Sequence, residues 1–415
     1  MTKPKIVILG CDAITPLGNN LDEEWRRLCQ GDSGVGPLTR FALSDDFPVR
    51  IAGQIPDEPL PAYPFLSARH QAAWFSPIFK YGMLSAVRAL EQSGIVIDKA
   101  IAPRLAVTYS SAIGGLDAVL AADRRLAGGK LPHPYANPNS CINMIGGKIA
   151  IEMGVTGPIF APISACATGL SSILTGAMLI QAGRADAAIC GAVDCPLVEP
   201  ITAGFYTMNG VFHDKEGEAR APATASRPFS VDRRGFVISE GAGAVVIASA
   251  DFAQAHGLNW RAELRGWSMT SDAHHFVAPH LPTVARCMAE AIADAGIKPG
   301  DIDAVNAHAT STKAGDLVEY QGLRQVFGEK IPPLTANKSQ LGHCMGAASA
   351  VESILALRGL AEGILPPTIN YVPDPEIALG DCLVATARRL NQRFVLKNSF
   401  GFGGCNACAV FVRAE

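Results

Sequence analysis

Apolar runs of strand length alternate along this chain with segments that carry helical signals, and the alternation starts again after about residue 255. Before that point the strand-like runs are "IVIL", "RLAVTYSS", "GPIFAPIS", "ADAAICGAV" and "GAGAVVIAS". The last two are apolar throughout, which is typical of a sheet covered on both faces. A helix is predicted between a cap at Asn20, with Glu23 three residues later, and Gly31. This order predicts an α/β fold.

The second stretch repeats the pattern. Its predicted elements are a strand at "RAELRGWSM", a helix at "VARCMAEAIADAG", a strand at "IDAVNAHAT", helices at "GDLVEYQGLRQVFG" and "GHCMGAASAVESILALRGLAEG", and strands near 382–387 and 407–412. Segments 209–235 and 362–380 are predicted loops because of their Gly, Pro and Asp content. The helices "CATGLSSILTGAML" and "HCMGAASAVESILAL" both open with a reactive residue type followed by small residues. The repetition predicts two α/β halves, 1–255 and 256–415.

Charge and hydropathy narrow the functional classes. The formal net charge is −3 and no basic block stands out, which argues against a nucleic-acid surface. No run of about 18 apolar residues is present, which argues against a membrane span. The start "MTKPKIVILGC" resembles a lipoprotein cleavage site, but its apolar core is shorter than the roughly 7–15 residues of a signal sequence. A first buried strand is the favoured interpretation.

The cysteines do not form the framework of a secreted protein. There are 11 of them, an odd number, and most lie inside apolar segments. Reduced thiols in a cytoplasmic enzyme fit this distribution better than disulfides do.

Cys166 in "ISACATGLSSI" is the candidate nucleophile, because it lies at a predicted strand-to-helix turn among very small side chains. A helix N-terminus favours the thiolate and is expected to lower the pKa of this thiol. Small neighbours would let a thioester carbonyl approach, with its oxygen near the Cys166 backbone N–H. The alternative is a core cysteine beneath a packed helix.

Two histidines have comparable surroundings. His308 in "NAHATSTKAGD" follows a predicted strand, and His343 in "NKSQLGHCMGAAS" opens a predicted helix. Catalytic groups collect at such positions in α/β folds, although a hydrogen-bonded structural histidine is the alternative for each. Two neutral imidazoles can donate hydrogen bonds to an enolate oxygen while a thiolate holds an acyl group. Such an enolate forms when a malonyl thioester loses carbon dioxide.

Lys338 lies five residues before His343 and would add positive charge near the developing negative charge, with Glu352 as its ion-pair partner. An ordinary surface ion pair is the alternative. The stretch "NSFGFGGCN" at 398–406 lacks the Lys-Ser/Thr of a P-loop and the spacing of a dinucleotide-binding motif. It is interpreted as backbone that passes close to a substrate with Phe402 as a gate, or as a tight turn before the last strand. The single C-x-x-C at Cys405 and Cys408 has no second pair at zinc spacing, so no metal is expected.

With these residues the chain resembles the β-ketoacyl-[acyl-carrier-protein] synthases, closest to the elongating type II enzymes. The motifs that carry the resemblance are "GCDAITPLG", "SSAIGGL", "SACATG", "ASRPFSVDRRGFVISEGAGAVV", "SDAHH", "NAHATST", "NKSQLGHCMGAASAVES" and "NSFGFGGCN". The resemblance implies a thiolase-like fold, in which two duplicated halves form a five-layered α-β-α-β-α sandwich. It also implies a homodimer with contacts around "SCINM" at 140–144.

The resemblance implies a role for each matching residue. Cys166 is the acylated nucleophile, and its N–H shares an oxyanion hole with that of Phe402, the gate. His308 and His343 promote decarboxylation and condensation. The supporting lysine and glutamate match Lys338 and Glu352, and the residue that limits the acyl pocket matches Ile113. The partner is an acyl carrier protein, which brings phosphopantetheine with the substrate, so no cofactor of the enzyme itself is expected.

The chain departs from the usual pattern at Ala309, Lys313, Cys405 and Asn209, and segment 67–82 is poor in basic residues. The last two departures concern positions by which the family holds acidic carrier proteins. A ketosynthase of a type II polyketide or polyene pathway, working with a partner subunit, is therefore an alternative to the fatty-acid enzyme. Two further alternatives are a thiolase acting on coenzyme A thioesters and a non-catalytic chain-length subunit.

Overall fold

The computed structural model describes residues 3–214 and 220–414, so positions 215–219 of the predicted loop 209–235 lie outside it. Within those residues the strands are β1 Ile6–Ile14, β2 Val35–Pro37, β3 Ile51–Gly53, β4 Leu105–Ser110, β5 Ile159–Phe160, β6 Ala187–Asp194, β7 Gly241–Ser249, β8 Ala262–Ser271, β9 Ala304–Asn306, β10 Leu334–Thr335, β11 Ile364–Leu365, β12 Arg388–Arg389, β13 Phe394–Gly401 and β14 Cys405–Arg413. The helices are α1 Leu21–Gln30, α2 Ala68–Ala73, α3 Pro77–Ser93, α4 Leu116–Ala127, α5 Ala136–Ser140, α6 Asn143–Met153, α7 Thr168–Gln181, α8 Glu199–Thr207, α9 Ala250–Ala255, α10 Leu281–Asp294, α11 Lys313–Phe327, α12 Lys338–Leu341 and α13 Ala348–Glu362.

One strand pattern occurs twice. The order in the first copy is β5-β4-β6-β7-β1, and the order in the second is β10-β9-β13-β14-β8. In each copy the strands that come first and last along the chain, β1 with β7 and β8 with β14, pair antiparallel. The three strands on the far side of each copy pair in parallel. The copies join where β1 pairs antiparallel with β8. The predicted internal duplication is therefore confirmed by topology.

Three separate apolar cores show how the layers stack. The side chains of β1 alternate, so that Ile6 enters a central core and Val7 an outer one. The central core contains α7 and α13, which lie between the two strand sets. One outer core is covered by α3 and α6, and the other by α10 and α11. This arrangement is the five-layered α-β-α-β-α sandwich that the resemblance implied.

Helix α1 begins and ends where the sequence predicts. The Asn20 side chain accepts hydrogen bonds from the N–H groups of Asp22 and Glu23, and Gly31 ends the helix at φ 85°. Such caps satisfy backbone groups that the helix itself leaves unpaired.

Several predicted elements differ from the structure near the strand ends. The predicted strand near 382–387 is wrong, because Gly380–Cys382 forms a 3-10 turn and the next strand is β12. Strand β13 is not predicted from the sequence, and Phe402, Gly403 and Gly404 form the turn of the hairpin between β13 and β14. The predicted strands at "GPIFAPIS" and "IDAVNAHAT" are reduced to β5 and β9, and the last long helix begins only at Ala348. The irregular backbone after β9 and before the last long helix carries His308 and His343 into the wall of a cavity.

The two central helices begin with matching turns. A 3-10 turn at Ala165–Ala167 precedes α7, and one at Met345–Ala347 precedes α13. The first residue of each turn, Ala165 or Met345, has a φ of 47°. Neither residue is glycine, so both turns hold a left-handed conformation that ordinary side chains disfavour.

Candidate active site

Cys166 occupies the middle of the 3-10 turn before α7. Cys166 is half-buried and lines a cavity of about 980 Å³, which lies between the two halves of the chain. The backbone N–H groups of Phe402 and of Cys166 itself are directed at the sulfur. These two amides therefore form a pair of donors beside the candidate nucleophile.

The two histidines predicted from sequence reach this sulfur from the second half. His343 Nε2 lies 3.0 Å from Cys166 Sγ. The ring of His308 meets that of His343 edge to face, with centroids 5.8 Å apart. Phe236 contacts the other side of the His343 ring, with centroids 5.4 Å apart. One ligand atom of Cys166, one of His308 and one of His343 all lie within 4.8 Å of one another.

Burial governs the protonation of this trio. Removal from water raises the pKa of the Cys166 thiol to about 11, although Lys338 and the Phe402 N–H oppose the change. The expected lowering of this pKa by the helix N-terminus is therefore wrong, because desolvation outweighs the nearby positive charge. Burial, together with Lys338, holds the pKa values of His308 and His343 well below their usual range. At neutral pH the site holds a thiol and two neutral imidazoles.

Lys338 connects His308 to a buried carboxylate. Its ammonium donates to the carbonyl oxygen of His308 at 2.5 Å and faces His308 Nδ1 at 3.5 Å. It also forms an ion pair with Glu352, and both side chains are 2% exposed. Because an ammonium only donates, Nδ1 of His308 accepts and its Nε2 carries the proton. Lys338 and Glu352 therefore form an interior ion pair, and the alternative interpretation as an ordinary surface ion pair is wrong.

The backbone after β9 is fixed by a second buried glutamate. The Glu319 carboxylate accepts the N–H of His308 at 2.9 Å and that of Ala309 at 2.7 Å. It also accepts the side-chain amide of Asn398 at 3.0 Å. No sequence pattern indicates Glu319, because its partners are backbone groups and the side chain of Asn398 on a distant strand.

Ile113 and Phe402 both line the cavity, as the sequence suggested. The segment that carries Ile113 is held by Asp194, at the end of β6. Its carboxylate accepts the N–H of Ile113 at 2.9 Å and that of Gly346 at 2.7 Å. Asp194 therefore ties the Ile113 segment to the turn that precedes α13, another contact that the sequence analysis missed.

Arg233 fixes the opposite wall of the cavity. It is 1% exposed and pairs with Asp374. It also donates to the carbonyl oxygens of Thr312 and Lys313, at 3.1 and 3.0 Å. The segment between His308 and α11 is therefore anchored by a residue outside the group of Cys166, His308 and His343.

In the part of the chain that the structure describes, Cys166, His308 and His343 are also the one group of three His, Cys, Asp or Glu residues near enough to share a metal ion. The ammonium of Lys338 lies next to this group. A cation placed there would be repelled at close range.

The geometry agrees with comparisons to known proteins. A family model described as "Beta-ketoacyl synthase, N-terminal domain" matches residues 3–253, and one described as "Beta-ketoacyl synthase, C-terminal domain" matches residues 261–372. The chain belongs to the β-ketoacyl synthase family. As a member, it is an acyltransferase that forms carbon–carbon bonds.

Its similarity to other β-ketoacyl synthases extends over the whole chain. It is 35% identical to a 3-oxoacyl-[acyl-carrier-protein] synthase 2 of Vibrio harveyi, over 99% of each chain. A β-ketoacyl synthase from Burkholderia phymatum superimposes with a TM-score of 0.91 at 28% identity, covering 99% of this chain and 100% of that one. A ketosynthase of Xenorhabdus doucetiae in complex with its chain length factor gives 0.82 at 27% identity, covering 99% and 98%. The thiolase-like fold is confirmed.

Proposed function

We propose that this β-ketoacyl synthase joins an acyl group held on Cys166 to a malonyl group carried by an acyl carrier protein. The observation that carries the proposal is the meeting of one sulfur and two neutral imidazoles within 4.8 Å, at one wall of a large cavity. A thiol can hold the acyl group as a thioester, and imidazole N–H groups can stabilise an enolate.

In the first step, the Cys166 sulfur attacks the carbonyl carbon of an acyl thioester. The carbon–sulfur bond to the carrier breaks, and the proton of the Cys166 thiol ends on the carrier thiol. The N–H groups of Cys166 and Phe402, which face the sulfur, are placed to stabilise the oxyanion of this step.

In the second step, the malonyl thioester places its carbonyl oxygen at the imidazoles of His308 and His343. The bond to the carboxylate breaks, carbon dioxide leaves, and the electron pair forms an enolate stabilised by imidazole N–H donors. The enolate carbon then attacks the acyl group on Cys166. The carbon–sulfur bond to the cysteine breaks, the sulfur takes up a proton, and a 3-oxoacyl-carrier two carbons longer is released.

The rim of the cavity has exposed apolar side chains, which favours a substrate that arrives attached to a carrier protein. Met208 and Val231 line the cavity and are 43% and 39% exposed, and nearby Phe276 is 69% exposed. The similar Vibrio harveyi protein is a 3-oxoacyl-[acyl-carrier-protein] synthase 2, whose substrate is attached to an acyl carrier protein. We infer that the carrier docks on this largely apolar rim and that its phosphopantetheine enters with the substrate rather than as a cofactor of the enzyme.

Exposed apolar side chains beside β5 support a dimer. Ile159 and Phe160, on this edge strand, are 43% and 50% exposed, and Ile151 on the adjoining α6 is 75% exposed. We infer that a second subunit covers them. A copy of this chain is the first candidate. A related subunit is the second, because the similar Xenorhabdus doucetiae ketosynthase occurs with a chain length factor.

Two observations bear on where the enzyme works. All eleven cysteines are free thiols. Across residues 3–214 and 220–414, none of the helices is long and apolar enough to cross a membrane. We infer a reducing compartment, the cytoplasm, on the evidence of the free thiols.

The test incubates the protein with acyl-loaded and malonyl-loaded carrier proteins and follows intact mass and condensation product. We expect an acyl adduct on Cys166 that is lost in Cys166→Ala but kept in Cys382→Ala, because Cys382 is a free cysteine that does not line the cavity. Decarboxylation of malonyl-carrier should be lost in His308→Ala and in His343→Ala. An adduct on another cysteine would overturn the assignment. Preference for coenzyme A thioesters would indicate a thiolase, and no adduct would indicate a chain-length subunit.

A further inference from the structure

A second lysine lies buried behind the catalytic trio. Lys397, on β13, is 0% exposed, and its ammonium lies 2.8 Å from Glu352 Oε2. It also donates to the carbonyl oxygen of Asn398. The other oxygen of the same carboxylate, Oε1, is taken by Lys338. One interior carboxylate therefore bridges two interior ammonium groups.

Such an arrangement is costly unless every charge is compensated. Lysine is almost never fully buried without a partner, and an unpaired interior charge destabilises a protein strongly. Glu352 alone cannot neutralise both Lys338 and Lys397. The second carboxylate nearby is Glu319, which faces the same cluster from α11 and interacts with Lys397. The cluster is thus balanced when both imidazoles are neutral.

The contacts form a continuous path to the reacting groups. The Lys397 ammonium forms an ion pair with Glu352, and Glu352 forms a second ion pair with Lys338. Lys338 in turn contacts both the carbonyl oxygen and Nδ1 of His308. Without Lys397, one oxygen of Glu352 would be left in the interior without its ammonium partner. The carboxylate would then be free to turn, and Lys338 would lose its fixed position.

We propose, on the basis of the proposed function, that Lys397 is a positioning residue of the condensing site. It fixes the pair Glu352–Lys338 beside His308, and its charge opposes protonation of His308 and His343. Both imidazoles then donate hydrogen bonds to the enolate without delivering a proton to its carbon.

Electrostatics supports this role. Positive charge from Lys338 and Lys397 adds to burial in holding the pKa values of His308 and His343 low. A neutral imidazole is a far weaker acid than an imidazolium. An imidazolium beside the enolate would protonate the carbon, so that malonyl-carrier plus one proton would give acetyl-carrier and carbon dioxide instead of a longer chain. The titratable groups that face this cluster are Cys166, His308, Glu319, Lys338, His343, Cys344, Glu352, Lys397 and Cys408. Burial raises the pKa values of the Cys344 and Cys408 thiols, so neither adds a charge at neutral pH.

The experiment measures the ratio of acetyl-carrier to 3-oxoacyl-carrier at several pH values, from an acyl-loaded enzyme supplied with malonyl-carrier. The variants are Lys397→Met, Lys397→Gln, which keeps a hydrogen-bond donor toward Glu352 but no charge, and Lys397→Arg, which keeps the charge. Lys148→Met is the matched control, because Lys148 is also buried and paired, with Glu152, but lies on α6 away from the cavity.

Loss of one interior charge is expected to raise the imidazole pKa by about one unit, which is about a tenfold rise in the imidazolium fraction. Lys397→Met and Lys397→Gln should therefore give about tenfold more acetyl-carrier than the wild type at neutral and alkaline pH, and this fold-difference should narrow only at pH values below the imidazole pKa values. Lys397→Arg and Lys148→Met should match the wild type. Unchanged ratios in both uncharged variants, or equal changes in Lys148→Met, would overturn the role of Lys397. Failure of the wild type to form the Cys166 adduct would instead overturn the proposed function.

Discussion

Cys166 rests as a thiol, and this has a direct consequence for its reactivity. The thiolate is the reactive form, and the pKa of about 11 leaves little of it at neutral pH. The structure therefore favours a nucleophile that reacts when an acyl thioester is bound in the cavity, with amides ready for the oxyanion, over one that is permanently ionised. Unspecific reaction with other electrophiles is suppressed by the same burial.

This state can be tested by alkylation with iodoacetamide, followed by peptide mass mapping. We expect the rate at Cys166 to rise about tenfold for each unit of pH up to about pH 10, because the thiolate fraction rises in that way below the pKa. Glutathione alkylated under the same conditions serves as the reference for a fully exposed thiol. A rate at Cys166 that levels off below about pH 8 would show a thiolate–imidazolium pair and contradict this prediction.

Asp194 should make the protein less stable as pH rises. Burial raises its pKa from the ordinary 3.8 to about 6, despite the hydrogen bonds that it accepts. The folded chain therefore binds this proton more tightly than the unfolded chain does. The contribution of Asp194 to the free energy of unfolding is greatest below about pH 4 and is lost as pH rises to about 6. The difference corresponds to about 3 kcal/mol.

Comparison of the wild type with Asp194→Asn in urea unfolding isolates this contribution. The free energy of unfolding of the wild type, relative to that of the variant, should fall by about 3 kcal/mol between about pH 4 and pH 7. A constant difference across this range would show that Asp194 is not protonated in the folded protein.

Three candidate site residues were predictable from local sequence, because Cys166 and His308 stand where a predicted strand ends and His343 opens a predicted helix. Lys397 and Asp194 were not, because each depends on partners far away in sequence. Glu352 lies 45 residues from Lys397, and the Gly346 N–H lies 152 residues from Asp194. The direction of the Cys166 pKa shift was missed for a related reason, since desolvation depends on the whole fold and not on the local turn.

The same limit applies to secondary structure. Strand β13 was missed because Lys397, Asn398 and Ser399 are polar although they are buried, so no apolar run marks the strand. The apolar run at 382–387 is not a strand, because its apolar side chains fill two different cores: Leu383 lies in the outer core under α10 and α11, and Val384 lies in the central core. By contrast, α1 has capping residues at both ends and was predicted correctly.

Helices α7 and α13 approach each other very closely at Gly169. A Cβ added to Gly169 would lie 2.5 Å from the backbone nitrogen of Ala350, which is closer than atoms can pack. We expect Gly169→Ala to destabilise the protein by about 1–3 kcal/mol, as an overpacked core does. Gly147→Ala on α6 is the control, because nothing lies within 4 Å of its added Cβ. Thermal unfolding should show a lower Tm only for Gly169→Ala, and equal Tm values would contradict the close packing.

At the scale of the whole molecule, the surface beside β5 should control assembly. Phe160→Glu places a charge among apolar side chains that we infer to be covered by a second subunit, and burying it there would be costly. Sedimentation velocity should show dissociation to the single chain. Val96→Glu, at a position that is 78% exposed and lies before β4, should leave the assembly unchanged. A Phe160→Glu protein that sediments like the wild type would place the interface elsewhere.

The two matching turns before α7 and α13 show how a duplicated architecture has come to hold one reactive group. Gly346 occupies the position in the second turn that Cys166 occupies in the first. A Cβ at Gly346 would lie 2.7 Å from Ala112 Cβ and 2.8 Å from Asp194 Oδ2. A side chain at this position in the second turn is therefore excluded by side chains of the first half. One half supplies the sulfur of the site and the other supplies both imidazoles, so the site exists only where the two halves meet.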